Sequence, residues 1–243
     1  MPDITSQVGA TIDSLTQEFE IISHNLANVN TTGYKRLCNY FSRVLQSQMS
    51  GADEEISFGI DINSTLDFSQ GAVTRTDRPL DFALHGKGLF VIETPQGQLY
   101  TRNGVFQLNS NNQIVNISGN IVAGESGPIT IPAGIALSQL NVSSDGSISA
   151  NGVLIGKFKF VDFGDNIDKL VPFGNGCFVL TEDITPVAAE NIVVKQGYQE
   201  SSNVQLVEEL VDMIMVTRLY EANMKSLKAV GETNDSLMSV AMG

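Results

Sequence analysis

The residues best able to do chemistry in this chain are His24 and His85, Cys38 and Cys177, and the carboxylates Asp81, Asp162 and Asp165. An imidazole moves protons near neutral pH and a cysteine pair ligates metal or bridges, but each needs partners at a defined spacing. His24 follows Ile22 by two residues on a helical stretch, where a surface or inter-subunit histidine is expected. His85 precedes Gly86 and Gly88, yet the residue three past Gly88 is Val91. A phosphate loop therefore lacks its third glycine, and a tight turn beside a strand is expected instead. The cysteines match no metal or redox spacing; two free thiols are expected, with a disulfide as the alternative. The three aspartates read as solvated turn acids. No Gly-x-Ser-x-Gly, Walker or His-Glu-x-x-His sequence occurs, so the expectation is no catalytic residue, no metal, no cofactor and no enzyme.

Composition narrows the classes further. The 27 acidic residues against 14 Lys and Arg give a net charge of -13, which argues against nucleic acid and anionic membrane surfaces as partners. No apolar run reaches the roughly 20 residues that span a bilayer. The start lacks the basic and apolar regions of an ordinary signal peptide.

The elements that must position any site come next. Ile4, Val8, Ile12, Leu15, Phe19, Ile22, Leu26 and Val29 recur at steps of four and three, which draws one stripe on an amphipathic helix. Leu206, Leu210, Met213, Tyr220, Met224, Leu227 and Met238 draw a second seam near the other end, interrupted by Thr217, Gly231 and Asn234. Val207, Val211, Ile214 and Val216 widen it. Ser202 and Gln205 have capping-box spacing, so this helix is expected to begin at Ser202. Glu208, Glu209 and Asp212 early and Lys225 and Lys228 late follow the helix dipole. Gly231 costs about 1 kcal/mol relative to Ala inside a helix, so the last dozen residues are expected to kink, to fray or to need close packing. A lone helix cannot bury its stripe in water, so these seams call for each other or for copies of themselves.

The middle reads as antiparallel β. Leu140 and Val142 are set to face Ile148 and Ala150 across Asp145-Gly146, and Asn151-Gly152 offers a second tight turn. Phe158, Phe160, Phe163 and the run Cys177 to Leu180 supply core bulk. The fold class expected is α+β, with terminal helices forming a discontinuous coiled-coil-like domain and a central all-β barrel or sandwich. The domain boundaries expected are an N-terminal helix over 1–35, an extended connector over 36–80 containing Phe41, Val44, Leu45 and the acidic run Gly51 to Asp61, a β domain over 81–199, and a C-terminal helix over 200–243.

Four blocks carry a resemblance. Asn25 to Lys35, with Asn28, Asn30, Gly33 and Tyr34, is similar to the N-terminal signature of the axial proteins of the bacterial flagellum, the rod and hook family. Ser202-Asn203-Val204, Glu209, Met213, and Arg218 to Asn223 with Lys225 resemble its C-terminal signature. Gln70-Gly71, Pro79 to Leu84 leading to Gly86, Gly88 and Phe90, and Tyr100 to Gly104 with Phe106 resemble its internal motifs. Leu89 and Asn111-Asn112 depart from the usual residues.

That resemblance implies a structural role. The terminal helices would line a hollow tube and the β part would stack outside it, in a periplasmic drive shaft that transmits torque and leaves an export channel. It implies assembly through Leu15, Phe19, Ile22, Asn25, Leu26, Asn28, Gly33, Leu210, Met213, Ile214, Arg218, Tyr220, Asn223, Met224 and Leu227. The implied partners are copies of itself, other rod, hook and base proteins, and the flagellar type III export apparatus, with no cleaved signal peptide, no nucleic acid and no membrane insertion. Hook proteins are usually longer, so a rod subunit is expected, proximal in preference to distal. A β-rich secreted adhesin or fibre, and an enzyme of envelope glycans, are the readings from other classes.

Overall fold

The computed structural model describes residues 4–47, 56–182, 184–189 and 192–242, with side chains described except for 4–6, 39–63 and 234–242. The expectations for the side chains of Ile4, Phe41, Val44, Leu45, Asn234 and Met238, and for residues 51–55 of the acidic run, lie outside what is described. The fold is α+β: two long helices at the ends of the chain and a β-rich middle.

In chain order the elements are α1 (Ile4–Ala27), β1 (Arg36–Ser47), β2 (Ile56–Asp67), β3 (Val73–Arg75), β4 (Phe82–His85), β5 (Leu89–Thr94), β6 (Gly97–Thr101), β7 (Gln107–Leu108), β8 (Ile114–Val115), β9 (Ile121–Gly124) and β10 (Gly127–Pro128). There follow β11 (Leu140–Val142), β12 (Ser147–Ala150), β13 (Val153–Lys157), β14 (Phe160–Asp162), β15 (Leu170–Gly174), β16 (Cys177–Leu180), β17 (Val187–Ala188), β18 (Val193–Gln196), β19 (Tyr198–Glu200) and α2 (Leu206–Met242). The chain divides into two compact units. Unit 1 holds residues 1–27, 37–65 and 205–243, and unit 2 holds 28–36 and 66–204.

Unit 1 contains both helices and most of β1 and β2, which pair with each other; the segment expected as an extended connector is thus strand over much of its length. Leu15 and Ile22 of α1 pack on Val216 of α2, with Met213 alongside. α2 runs unbroken through Gly231, around which a Cβ would meet nothing within 4 Å. Its start differs from the expectation at Ser202. The Ser202 hydroxyl accepts from the Val204 N–H at 3.2 Å, and Ser201 N–H donates to Ala72 carbonyl at 2.8 Å. Those bonds hold the segment extended, so the first helical bond is Glu209 N–H to Gln205 carbonyl at 3.1 Å.

Unit 2 is built on a large sheet in which β15, β16, β6, β5, β9, β8 and β7 lie side by side. Leu140 pairs with Ala150 and Val142 with Ile148, and Asn151 and Gly152 turn the next hairpin at φ 50° and 80°. Both hairpins are those the turn residues announced. The core collects Phe82, Phe90, Phe106 and Phe158 with Leu84, Ile92, Ile114, Val122 and Ile148. Phe90 stands edge-on to Phe106 and Phe158 at centroid distances of 5.0 and 5.7 Å, within the range where aromatic pairs add to plain burial.

Candidate assembly surface

Within unit 1 the helices spend only part of their apolar surface on each other. On α1 the expected stripe holds in part: Leu15 and Ile22 are buried and Val8, Ile12 and Leu26 partly so, while Phe19 is exposed and Val29 lies beyond the end of the helix at Ala27. On α2 the inward face is Glu209, Met213 and Val216, with Asn223, Leu227 and Val230 half-buried beyond them. Leu206, Leu210, Tyr220 and Met224, expected on the seam, are exposed, whereas Val216, expected as a flank, is 4 % exposed. The reason is that apolar residues ring this helix, so periodicity offers more than one stripe and packing chooses. Val207, Val211, Ile214, Met215 and Leu219 are exposed by half or more. Arg218 is exposed as well. A groove of about 270 Å³ runs between the helices, lined by Leu15, Thr16, Phe19, Val216, Thr217 and Tyr220.

The asparagines of the N-terminal signature are structural joints. Asn25, fully buried, accepts from the Leu37 N–H at 2.9 Å and donates to the Leu37 carbonyl at 2.8 Å, with both Glu209 carboxylate oxygens 3.4 Å from its amide nitrogen. One side chain thereby ties the end of α1, the start of β1 and the first turn of α2. Asn28 accepts from the Thr31 hydroxyl at 3.1 Å and closes a turn after α1. Asn223 instead donates to the Leu219 carbonyl of its own helix at 2.8 Å. Glu18 on α1 has its carboxyl pushed up, first by burial and then by the negative charge of Asp212 on α2.

In unit 2 a second joint centres on a residue that no sequence pattern singles out. Glu200, fully buried, accepts from Lys35 Nζ at 2.7 Å and the Gly71 N–H at 3.1 Å through Oε1, and from Arg102 Nε at 2.7 Å through Oε2. Arg102 also donates to the carbonyls of Leu84, at 2.8 Å, and Gly88; Lys35 also donates to the Ser69 carbonyl at 2.6 Å. Burial pushes the Lys35 amine down, against the pull of Glu200. Lys35 and Arg102 also line a cavity of about 280 Å³ with Phe68, Leu89 and Phe163, and both of these cations are already committed to protein partners. Gly33 has φ 70° and lies six positions past the end of α1, so it does not cap that helix. Its N–H donates to the Glu200 carbonyl at 2.7 Å, and a Cβ there would sit 2.4 Å from the Asn103 nitrogen.

The chemically able residues do not converge. His24 and His85 are exposed, Cys38 is half-buried, and Cys177 is buried with its thiol pushed up by that burial. Neither cysteine is in a disulfide. Asp81 is not a solvated turn acid: it is buried, accepts from the Thr76 hydroxyl at 2.7 Å, and lies 3.2 Å from Arg78 Nη1 without hydrogen-bond alignment. Asp162 is half-buried at the end of β14 and Asp165 is exposed. Among the described residues no group of three His, Cys, Asp or Glu gathers to hold a metal, and no helix is long and apolar enough to cross a membrane.

Comparison with known proteins gives these joints a context. Residues 12–35 match the flagella basal body rod protein family, residues 83–150 the flagellar hook protein FlgE/F/G D1 domain, and residues 195–240 the flagellar basal body rod FlgEFG protein C-terminal family. The flagellar basal-body rod protein FlgG of Buchnera aphidicola subsp. Acyrthosiphon pisum is 32 % identical, over 93 % of this chain and 94 % of its own length. FlgF of Salmonella typhimurium is 32 % identical over 94 % of both. FlgF of Mesorhizobium japonicum is 30 % identical over 91 % of this chain and 90 % of its own. The chain belongs to the flagellar basal-body rod protein family. As a rod protein it is a structural subunit of the bacterial flagellum. Its first matched segment ends at Lys35 and its last begins just before Glu200, so the buried ion cluster of this rod protein joins the two.

Proposed function

We propose that this subunit polymerises through the outward faces of its terminal helices, by heterologous contacts that do not close, into the hollow shaft of the rod. The observation that carries the reading is the row Val207, Val211, Ile214, Met215 and Leu219, exposed on a helix of an otherwise acidic protein. Fully burying each is worth about 1.5–3 kcal/mol, and a contiguous apolar surface of this kind marks an interaction site. Its partners in this reading are copies of itself and the other rod, hook and base proteins, with coiled-coil-like packing of the helices. Delivery is by the type III apparatus, without cleavage, into the periplasmic part of the basal body.

We assign it to the proximal rod. The assignment rests on the short chain and on Leu84, His85 and Leu89 in the internal motif, with the FlgF kind taken as the proximal one; FlgF and FlgG relatives align over similar lengths, 244 and 240 positions among them. Purified basal bodies imaged with the subunit labelled, and its copies counted, test both steps. Density along the proximal shaft supports the assignment; density at the distal shaft overturns the position alone, and absence from the rod overturns the function.

A further inference from the structure

Unit 2 is closed by two arms from opposite ends of the chain. Residues 28–36 enter it directly after α1, and residues 198–204 leave it directly before α2. No residue of either arm belongs to the main phenylalanine-centred core. Tyr34 and Val204 are buried outside that core, and polar bonds tie the arms to each other and to the rest of the unit. Gly33 N–H and Lys35 Nζ both reach Glu200, one through its carbonyl and one through its carboxylate. Asn203 accepts from the Arg36 N–H at 2.7 Å and donates to the Asp67 carbonyl at 2.8 Å and the Ser69 hydroxyl at 3.0 Å. Glu200 pairs with Val73 in the β19–β3 ladder, and its carboxylate is shared by Lys35 and by Arg102, which directly follows β6 of the main sheet. Two cations thus share one fully buried anion, so losing that charge opposes closure far more than losing a surface pair would.

We propose that Glu200 is a latch: its carboxylate locks both arms onto the sheet together, and the arms open as one step that leaves the phenylalanine core folded. This stands apart from the rod reading, since it concerns unit 2 alone. A closure that requires residue 200 also delays completion of the unit until nearly the whole chain has emerged.

Hydrogen exchange on the full-length chain in dilute solution tests it. Glu200→Gln keeps the shape and removes the charge; amides of 28–36 and 198–204 are expected to exchange at least tenfold faster, both arms alike, while β5, β6 and β9 keep wild-type protection. Asn203→Ala removes arm bonds without stranding a buried charge and is expected to loosen the same two arms by a smaller factor. Acceleration of one arm only, equal acceleration of arms and core, or no change in either variant overturns the latch. If Glu200→Gln yields no folded protein, the Asn203→Ala pattern decides in the same terms.

Discussion

At the scale of single residues, the positions that matter most are those whose partners lie far away in sequence. Gly33 combines a left-handed backbone with an approach of 2.4 Å between its would-be Cβ and the Asn103 nitrogen. Gly33→Val is expected to cost about 1–3 kcal/mol from backbone strain alone, with the clash in addition. It should lower the thermal midpoint of unit 2 in the isolated chain, and incorporation into basal bodies should fall with it; an unchanged midpoint would show that the turn relaxes freely. Glu18 gives a pH dependence. Its folded pKa is raised by burial and then by Asp212, so between the unfolded value near 4.3 and the folded one the native state holds the extra proton. Stability therefore falls as pH rises through that window, and the loss persists at neutral pH. Helicity of the full chain should increase on mild acidification towards the bottom of the window, and Glu18→Gln should flatten that change. Gly33 was legible as a member of the N-terminal signature, though not for its contact with Asn103. Glu200 was not, since one glutamate beside a short strand carries no mark of the lysine and arginine that meet it 165 and 98 positions earlier in the chain.

At the scale of elements, local patterns told true. Turn chemistry at Asp145-Gly146 and Asn151-Gly152 fixed the β11–β12–β13 hairpins, because a hairpin is decided by its own few residues. The inward face of α2 was not decided that way: Leu206, Leu210 and Tyr220 made as regular a row as Glu209, Met213 and Val216, and a glutamate made the second row look polar. The buried amide of Asn25, which lies against both carboxylate oxygens of Glu209, gives that glutamate its reason to be inside. The two faces make opposite predictions. Leu210→Asp changes an exposed position, so the monomer's stability should shift by no more than about 0.5 kcal/mol while sedimenting polymer is lost. Val216→Asp places a charge in the desolvated contact with Leu15 and Ile22, and should cost several kcal/mol, seen as loss of helicity in the monomer itself. Equal behaviour of the two variants would refute the distinction between inner and outer faces.

At the scale of the whole molecule, the α+β class and the terminal position of both helices were legible from periodicity alone, while the limits of the β-rich part were not. Sequence reading put its edges near 81 and 199 and cast 36–80 as a connector; the compact unit instead takes in residues 28–36 and extends from 66 to 204. Contacts such as Arg36 N–H to Asn203, 2.7 Å across 167 positions, have no local signature. Limited proteolysis of dilute monomer is accordingly expected to trim α1 and α2 and to spare Lys35, Glu200 and Asn203 in one resistant complex of fragments. Early cleavage between Asn28 and Arg36, or after Tyr198, would show that the arms are not part of the stable body.

The hairpin at Asn151-Gly152 has a practical meaning. Both residues are exposed, the backbone already takes left-handed values there, and a Cβ on Gly152 would meet nothing within 4 Å. Tips of this kind accept inserted sequence with little effect on the body that carries them. An epitope or dye-binding tag belongs at this tip and not at either terminus, where it would burden the helices whose apolar faces we propose as the assembly surface.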